Sequence, residues 1–193
     1  DWLLHFGAKT NIKSSIRDPE QTYCQNLTST LRALGIARNA EANLLFMSSY
    51  VYGHPVYLPI DESHPTQTLN PYMESKLASE VLCTHFSDLF HLPIEILRAF
   101  NIYGDFRKPG MLIADLLDNV EHGDPLLVRD PTPRRDYLYI TDFLSLIKLV
   151  VSQPKKGVNV YNVGYGESCS NLEVAELINS LLKKSRKINI SNS

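Results

Sequence analysis

The 193-residue sequence lacks the features that mark several broad classes of protein. No apolar run reaches the roughly 20 residues that a membrane-spanning helix needs, and no signal-peptide core is present. The net charge is only −2, from 19 basic and 21 acidic residues, so no excess of positive charge indicates a nucleic acid or an anionic membrane as partner. We therefore expect neither of these partners, and we expect the protein to be cytoplasmic.

Cysteine, histidine and glycine are present but form no recognisable site pattern. Cys24, Cys83 and Cys169 are odd in number and far apart, without the spacing of a metal site. The six histidines are scattered as well, so we expect reduced thiols and no metal. The nine glycines include no cluster that could cradle a phosphate, and Gly7 and Gly35 are isolated.

The most informative feature that is present is the pair Tyr72 and Lys76. Residues four apart lie on one face of a helix, so the ammonium can lie beside the phenol. A neighbouring cation favours the phenolate and lowers the pKa of a tyrosine, which suits it to proton transfer. Ser48 follows the apolar run Leu44–Met47 and could bond the same substrate oxygen. These residues predict chemistry that moves a proton on and off an alcohol.

An isolated Tyr-x-x-x-Lys pair has a simpler interpretation, which is a surface tyrosine stacked on the stem of a lysine. The surrounding sequence favours the site. A buried-type strand precedes Ser48, and Asn70-Pro71 is a typical helix start directly before Tyr72. The helix that follows is amphipathic, with apolar residues at Leu77, Val81, Leu82 and Phe86.

Short apolar segments alternate with amphipathic ones, which predicts an α/β fold with a doubly wound parallel sheet. The expected elements are strands at 2–6, 44–47 and 94–99, helices at 19–40 and 72–90, and a polar loop at 9–17. After Gly104 a helix near 111–122 and the turn 123–125 predict a smaller lobe. The chain is expected to return to the sheet at 161–163, and Ser170-Asn171-Leu172-Glu173 is a capping box that opens a last helix.

Seven segments in order resemble motifs of the extended short-chain dehydrogenase/reductases. The resemblance is to their NAD(P)-dependent epimerase/dehydratase group, which acts on nucleotide sugars. The segments are Leu4–Ala8, Asp18-Pro19 with Asn26, Ser48–Gly53, Pro71–Lys76, Leu97–Gly104, Arg135–Asp142 and Tyr161–Gly164. The resemblance implies a Rossmann-type domain and a smaller substrate-binding lobe.

The same resemblance implies a role for each matched residue. The implied catalytic residues are Ser48, Tyr72 and Lys76, and Ser48 also binds the substrate. The implied cofactor-binding residues are Phe6, Gly7, Ala8, Asn26, Tyr72, Lys76 and Phe100. Asn101 and Arg135 match positions that contact the substrate's diphosphate, and a guanidinium suits phosphate because it forms paired hydrogen bonds. The alternatives are an ion pair of Arg135 with Asp136 or Asp142, and a core position for Phe6.

The implied reaction is NAD-dependent epimerisation of a nucleotide sugar, at C4 and through a transient keto intermediate, as in the UDP-glucose 4-epimerases. A 4-ketoreductase is the alternative enzyme, and NADP is the alternative cofactor. Sugar 4,6-dehydratases carry Asp-Glu directly after the catalytic Ser/Thr, where this chain has Ser49 and Tyr50. Related decarboxylases carry Glu at the position of Tyr50, so both reactions are disfavoured. A non-catalytic binding remnant is the alternative of another class.

The family's Gly-x-x-Gly-x-x-Gly loop has no counterpart here, and residue 1 already matches the start of the family's fourth strand. We therefore expect an N-terminally truncated fragment without strands 1–3, which leaves an open apolar edge at 2–6 and no activity in isolation. The expected domains are a cofactor-binding remainder at 1–103 and 137–164 and a sugar-binding lobe at 104–136 and 165–193. At full length we expect a homodimer through helices 19–40 and 72–90.

Overall fold

A computed structural model describes residues 1–105 and 109–191 of the chain. In chain order its elements are β1 (Trp2–His5), α1 (Ile12–Arg17), α2 (Pro19–Asn39), β2 (Asn43–Met47), α3 (Pro71–Phe90), β3 (Ile94–Ala99), β4 (Asn101–Tyr103), α4 (Leu112–His122), β5 (Leu126–Val128), β6 (Arg134–Tyr139), α5 (Ile140–Ser152), β7 (Val158–Val163), β8 (Ser168–Ser170), α6 (Asn171–Leu181) and β9 (Ile188–Ile190). The predicted strands and helices of the first half lie within one or two residues of these bounds, which confirms them.

The chain divides into two compact units, Asp1–Ala99 with Ser145–Val163 and Phe100–Leu144 with Gly164–Ser193. The bounds differ from the expected domains at 100–103, at 137–144 and at residue 164, all of which fall in the second unit. The reason is that β4 pairs with β6 and does not continue β3 in the larger sheet. The roles expected for the two units stay a proposal.

The first unit contains a four-stranded parallel sheet in the order β1-β2-β3-β7. All six residues of β3 are buried, as expected for a central strand that is covered on both faces. This arrangement confirms the predicted α/β class and its parallel sheet.

Helices cover both faces of this sheet. On one face Leu44, Phe46 and Ile94 pack against Ala33 and Cys83 of the two long helices. The opposite face lies against α5. A hydrogen bond of 3.1 Å from the indole of Trp2 to the carbonyl of Val151 in this helix shows the contact. The sheet is therefore doubly wound.

The start of α3 has the geometry that its sequence predicts. The side chain of Asn70 accepts a hydrogen bond of 3.0 Å from the backbone N–H of Met73, and Pro71 occupies the first helical position. The helix ends at His91, which has a left-handed conformation with φ of 54°. Capping at Asn70 fixes the first turn, and with it the direction in which Tyr72 leaves the helix.

The segment expected to be a loop at 9–17 contains a short helix instead. α1 forms because the side chain of Asn11 accepts a hydrogen bond of 2.8 Å from the backbone N–H of Ser14, which caps the first turn. Its six residues show too little apolar periodicity to be recognised as a helix from the sequence.

The second unit contains short strands around a small core. β4 and β6 pair in parallel, β6 and β8 pair antiparallel, and β5 pairs in parallel with β9. The buried residues of its core are Leu116, Leu126, Val128, Val174 and Ala175. The capping box of α6 is formed as predicted, with Ser170 and Glu173 each bonding the backbone of the other.

Within residues 1–105 and 109–191, no helix is both long enough and apolar enough to cross a membrane.

Candidate active site

Three of the predicted site residues lie close together at the carboxyl end of β2. Ser48 directly follows this strand, and Tyr72 and Lys76 occupy the first turns of α3. The turn Phe6–Ala8 follows the neighbouring strand β1. Ligands of doubly wound sheets bind outside the carboxyl ends of the strands, so this is the edge at which a site is expected.

Tyr72 is half-buried. Burial raises the pKa of Tyr72, and the neighbouring side chain of Ser49 opposes that shift by a smaller amount. The sequence led us to expect a pKa lowered by Lys76, and that expectation is wrong. Burial of the phenol outweighs its polar neighbours, because an ionised oxygen is poorly solvated there.

Lys76 is buried, and its Nζ lies 4.1 Å from the centroid of the Phe46 ring. Burial lowers the pKa of Lys76 to about 8, and the nearby carboxylate of Glu80 opposes that shift. The ammonium also contributes to a lowered pKa of His5, although burial of the imidazole is the larger cause. Lys76 is thus a cation held at a position where losing its proton is easier than in water.

Ser48 belongs to a buried polar network. Its Oγ donates a hydrogen bond of 2.5 Å to Oε1 of Glu80, and Nη2 of Arg98 lies 2.7 Å from Oε2 of the same carboxylate. Nη1 of Arg98 donates to the hydroxyl of Tyr52, which in turn donates to Oδ1 of Asn162. The network ties the end of β2 to α3, β3 and β7.

Asn26, a predicted cofactor-binding residue, holds two segments of the site together. Its Oδ1 accepts from the backbone N–H of Lys9, and its Nδ2 donates to the carbonyl of Lys9 and to Oγ of Ser75. Asn26 is buried at 2% exposure, and Ser75 lies in α3 between Tyr72 and Lys76. Its side chain therefore positions the turn after β1 against the helix that carries the tyrosine.

The turn after β1 offers surface to a ligand. Phe6 is 43% exposed, which argues against a core position. A side chain at Gly7 would meet only the ring of His5 at ordinary contact distance among the described residues, so a flat ring can approach this backbone closely. With the cation of Lys76 buried at the next strand end, these residues fit the nicotinamide end of a dinucleotide.

The predicted diphosphate-binding residues lie in the second unit. Nδ2 of Asn101 donates a hydrogen bond of 3.0 Å to the carbonyl of Asp136. Arg135 is exposed, and its Nη1 donates to the carbonyl of Arg134. The carboxylate of Asp136 instead accepts from the backbone N–H groups of Tyr165 and Gly166 at 2.7 and 2.8 Å.

Among the described residues no ion pair joins Arg135 to Asp136 or Asp142, so the alternative of an internal pair has no support here. Phe100 is half-buried and is the single residue that separates β3 from β4 along the chain. The binding roles of Asn101, Arg135 and Phe100 stay predictions.

Sequence reasoning missed three residues of this site, which are Ser49, Glu80 and Arg98. One signal could have identified Glu80, because it continues the four-residue spacing of Tyr72 and Lys76 on one helix face. Arg98 lies 18 residues from Glu80 on another element, and nothing local marks the contact. In the sequence, Ser49 is distinguished only by the absence of a carboxylate at its position.

The parallel sheet, the strand-end serines and the Tyr72–Lys76 pair define a Rossmann-type protein of the short-chain dehydrogenase/reductase class. The chain belongs to the NAD dependent epimerase/dehydratase family, whose sequence model matches residues 1–164. This confirms the resemblance that the seven motifs indicated.

Two curated relatives illustrate the range of this similarity. A putative UDP-glucose 4-epimerase of Methanocaldococcus jannaschii is 27% identical over 183 residues, which are 91% of this chain and 59% of the relative. A dTDP-D-glucose 4,6-dehydratase of Bos taurus is 30% identical over 188 residues, which are 95% of this chain and 52% of the relative. The chain thus spans somewhat more than half the length of these curated relatives.

A solved structure shows the same fold. The UDP-glucuronic acid 4-epimerase of Bacillus cereus, in complex with UDP-glucuronic acid and NAD, superposes with a TM-score of 0.86 at 26% identity. The match covers 100% of this chain and 63% of that chain. The fold of the present chain is therefore that of Rossmann-type epimerases and dehydratases.

Proposed function

We propose that the protein is an NAD-dependent epimerase that inverts C4 of a nucleotide sugar through a transient keto intermediate. One observation carries the proposal: half-buried Tyr72 lies in the first turn of α3, near the serines that end β2, and the buried cation of Lys76 lies one turn further along the same helix. This is the machinery that removes a proton from an alcohol and returns it.

In the proposed reaction Tyr72 takes the proton of the sugar hydroxyl. When bound, NAD would supply the acceptor for the hydride of the same carbon and the donor for its return to the opposite face. Lys76 would stabilise the tyrosinate electrostatically and hold the nicotinamide ribose, and the turn Phe6–Ala8 would line the nicotinamide. A serine hydroxyl at the end of β2 orients the sugar oxygen. The sugar returns with one carbon inverted and with no net oxidation.

The residues after Ser48 favour epimerisation over loss of water. Elimination of a sugar hydroxyl needs an acid that protonates the leaving oxygen, and the two following positions are Ser49 and Tyr50. The hydroxyl of Tyr50 donates a hydrogen bond of 2.7 Å to the carbonyl of Gly53. Glu80, the carboxylate bonded to Ser48, is also engaged by Arg98. The similarity to the bovine dehydratase therefore supports the family, and these residues argue for a different reaction within it.

Binding of the substrate's diphosphate is proposed for Asn101 and Arg135. Arg135 carries an exposed guanidinium in β6, and Asn101 carries an exposed amide in β4, which pairs with it. Both can donate to phosphate oxygens, and a guanidinium can do so with two parallel bonds. Phe100 is proposed to contact the cofactor.

We also propose a cytoplasmic location and a dimeric state for the protein. Free thiols at all three cysteines agree with a reducing compartment, which supports the cytoplasm. A homodimer through α2 and α3 is proposed because Leu31, Val81 and Leu89 on these helices are 42%, 51% and 71% exposed.

The test is an assay of the polypeptide as its native host makes it, with UDP- and dTDP-hexoses and with NAD or NADP. Products are followed by mass spectrometry and NMR. An epimerase yields an inverted C4 centre at unchanged mass, a dehydratase yields a product lighter by one water, and a reductase adds two hydrogens to a keto sugar. Loss of water, or reduction without epimerisation, would contradict the proposal, and so would absence of turnover on every hexose.

A further inference from the structure

A buried carboxyl group lies at the end of the central strand that is remote from the candidate site. Glu95 is the second residue of β3, whereas Ser48 and Tyr72 lie at the carboxyl ends of the strands. We propose that Glu95 is a pH-sensitive lock, which holds segment 153–157 against β3 while its carboxyl group is protonated and loosens the segment when that group ionises. Segment 153–157 joins α5 to β7. The lock takes no part in the proposed reaction, so it operates whether or not the protein is an epimerase.

Glu95 lies in the interior of the four-stranded sheet. It is 1% exposed, in a strand whose six residues are all buried. In the register of the sheet its neighbours are Leu45 of β2 and Asn159 of β7, and only the second of these can donate a side-chain hydrogen bond. A carboxylate in such a place is costly, because water cannot solvate it and few protein groups replace that water.

The hydrogen bonds of Glu95 have the lengths expected for a neutral acid. Its Oε1 accepts from the backbone N–H of Lys155 at 3.2 Å and from Nδ2 of Asn159 at 3.4 Å. Hydrogen bonds to a charged carboxylate are shorter, about 2.7–2.9 Å, and the contact of Glu80 with Arg98 is 2.7 Å. Oε2 of Glu95 is buried, and no donor among the described residues bonds it. Ionisation would therefore leave a charged oxygen without a partner, which costs more than an unpaired neutral group.

The charged and titratable groups around Glu95 come from segment 153–157 and from β7. Lys155 does not pair with the carboxyl group, since within residues 1–105 and 109–191 no ion pair joins the two. Its Nζ lies instead 5.1 Å from the centroid of the Tyr161 ring. Burial raises the pKa of Glu95, and Lys155, Tyr161 and Asn159 each oppose that shift by a smaller amount. The balance agrees with the hydrogen-bond geometry, because both favour the protonated acid.

Segment 153–157 is the part of these surroundings that can open. All five of its residues are exposed, whereas β2 and β7 flank Glu95 within the sheet. Two hydrogen bonds attach the segment to β3. The carbonyl of Gly157 accepts from the N–H of Ile94 at 2.9 Å, and the N–H of Lys155 donates to Glu95. When Glu95 ionises, its charge gains water by release of this segment, so the proton on the carboxyl group controls whether the segment stays closed.

The first test is Glu95→Gln, which keeps an acceptor oxygen and removes the ionisable group. Because the folded-state pKa of Glu95 is raised, the wild type loses stability as the pH rises above the ordinary value of 4.5, and the variant does not. The melting temperatures should differ little at pH 4, and that of Glu95→Gln should be higher by about 3–6 °C at pH 8. Glu176→Gln, at an exposed position, is the matched control and should show no such difference. A difference that is constant with pH, or a less stable Glu95→Gln at pH 8, would overturn the proposal.

A second measurement uses the wild-type polypeptide, so it does not depend on the folding of a variant. Carbon-13 NMR of glutamate labelled at its carboxyl carbon follows the ionisation of Glu95, and amide hydrogen exchange at Lys155 follows the opening of segment 153–157. The carboxyl group should ionise above pH 4.5, and protection of the Lys155 amide should fall over the same pH range. Ionisation at or below pH 4.5, or protection that does not change when Glu95 ionises, refutes the lock.

Discussion

Nη2 of Arg98 lies 2.7 Å from Oε2 of Glu80, in an ion pair whose side chains are 10% and 7% exposed. The pair joins β3 to the third turn of α3, one turn beyond Lys76. Removing one partner leaves an uncompensated buried charge, whereas removing both leaves none. Glu80 of this pair also accepts the hydrogen bond of Ser48, so the pair fixes the position of the carboxyl end of β2, where the site lies.

Arg98→Met should lower the free energy of unfolding by about 3–5 kcal/mol, the usual cost of breaking a buried pair. The double variant Glu80→Met/Arg98→Met should lose clearly less than the sum of the two single variants. Urea titration of all four proteins closes the cycle. Additive losses would mean that the contact contributes no coupling, and that packing alone determines the stability at these positions.

Tyr72→Phe should lower turnover at least a hundredfold, the scale expected for losing a general acid/base. The change removes one hydroxyl from a half-buried ring, so the circular dichroism spectrum and the melting temperature should change little. Tyr50→Phe is the matched control, since its hydroxyl contacts the Gly53 carbonyl. A decrease in turnover of less than tenfold in Tyr72→Phe would show that this tyrosine is not the general acid/base.

Lys76→Met should raise the free energy of unfolding at neutral pH. The folded-state pKa of Lys76 is lowered from 10.5 to about 8, so below pH 8 the protein holds a cation that it solvates poorly. A shift of this size corresponds to about 3 kcal/mol, at ~1.4 kcal/mol per pKa unit. The ammonium contact with the Phe46 ring is lost in the variant and reduces the gain.

The pH dependence distinguishes this origin from a simple packing effect. Between about pH 8 and 10.5 the folded protein releases the proton of Lys76 while the unfolded chain still binds it, so the wild type gains stability with rising pH. The advantage of Lys76→Met should therefore shrink across this window. Urea titrations at pH 7 and pH 10 measure it, and an advantage that is constant with pH would show that burial of the cation is not its cause.

Gly53→Ala and Gly35→Ala should change stability in opposite directions. Gly53 has φ of +65°, and a Cβ there would lie 2.5 Å from the carbonyl oxygen of Gln67, so alanine should destabilise the protein by about 1–3 kcal/mol or more. A Cβ at Gly35, in α2, meets nothing within 4 Å, so alanine should stabilise by about 0.5–1 kcal/mol. Thermal melts of both variants check the signs, and a stable Gly53→Ala would show that this loop relaxes.

Local sequence patterns predict the elements that carry the site. Asn70-Pro71 specifies the start of α3 because its cap is formed within three residues, and the apolar run of β3 specifies a buried strand. Local sequence patterns do not predict the short strands of the second unit. β5 has three residues and pairs with β9 more than fifty residues away, so only the partner makes it a strand.

The sequence by itself determined the family, the parallel α/β class and the helical pairing of Tyr72 with Lys76, because each depends on residue order or on contacts within one turn. Only the tertiary structure decided that burial raises the pKa of Tyr72 and that Glu80 pairs with Arg98. These outcomes depend on desolvation and on side chains brought together from different elements. Neither quantity is a property of a residue or of its neighbours in the chain.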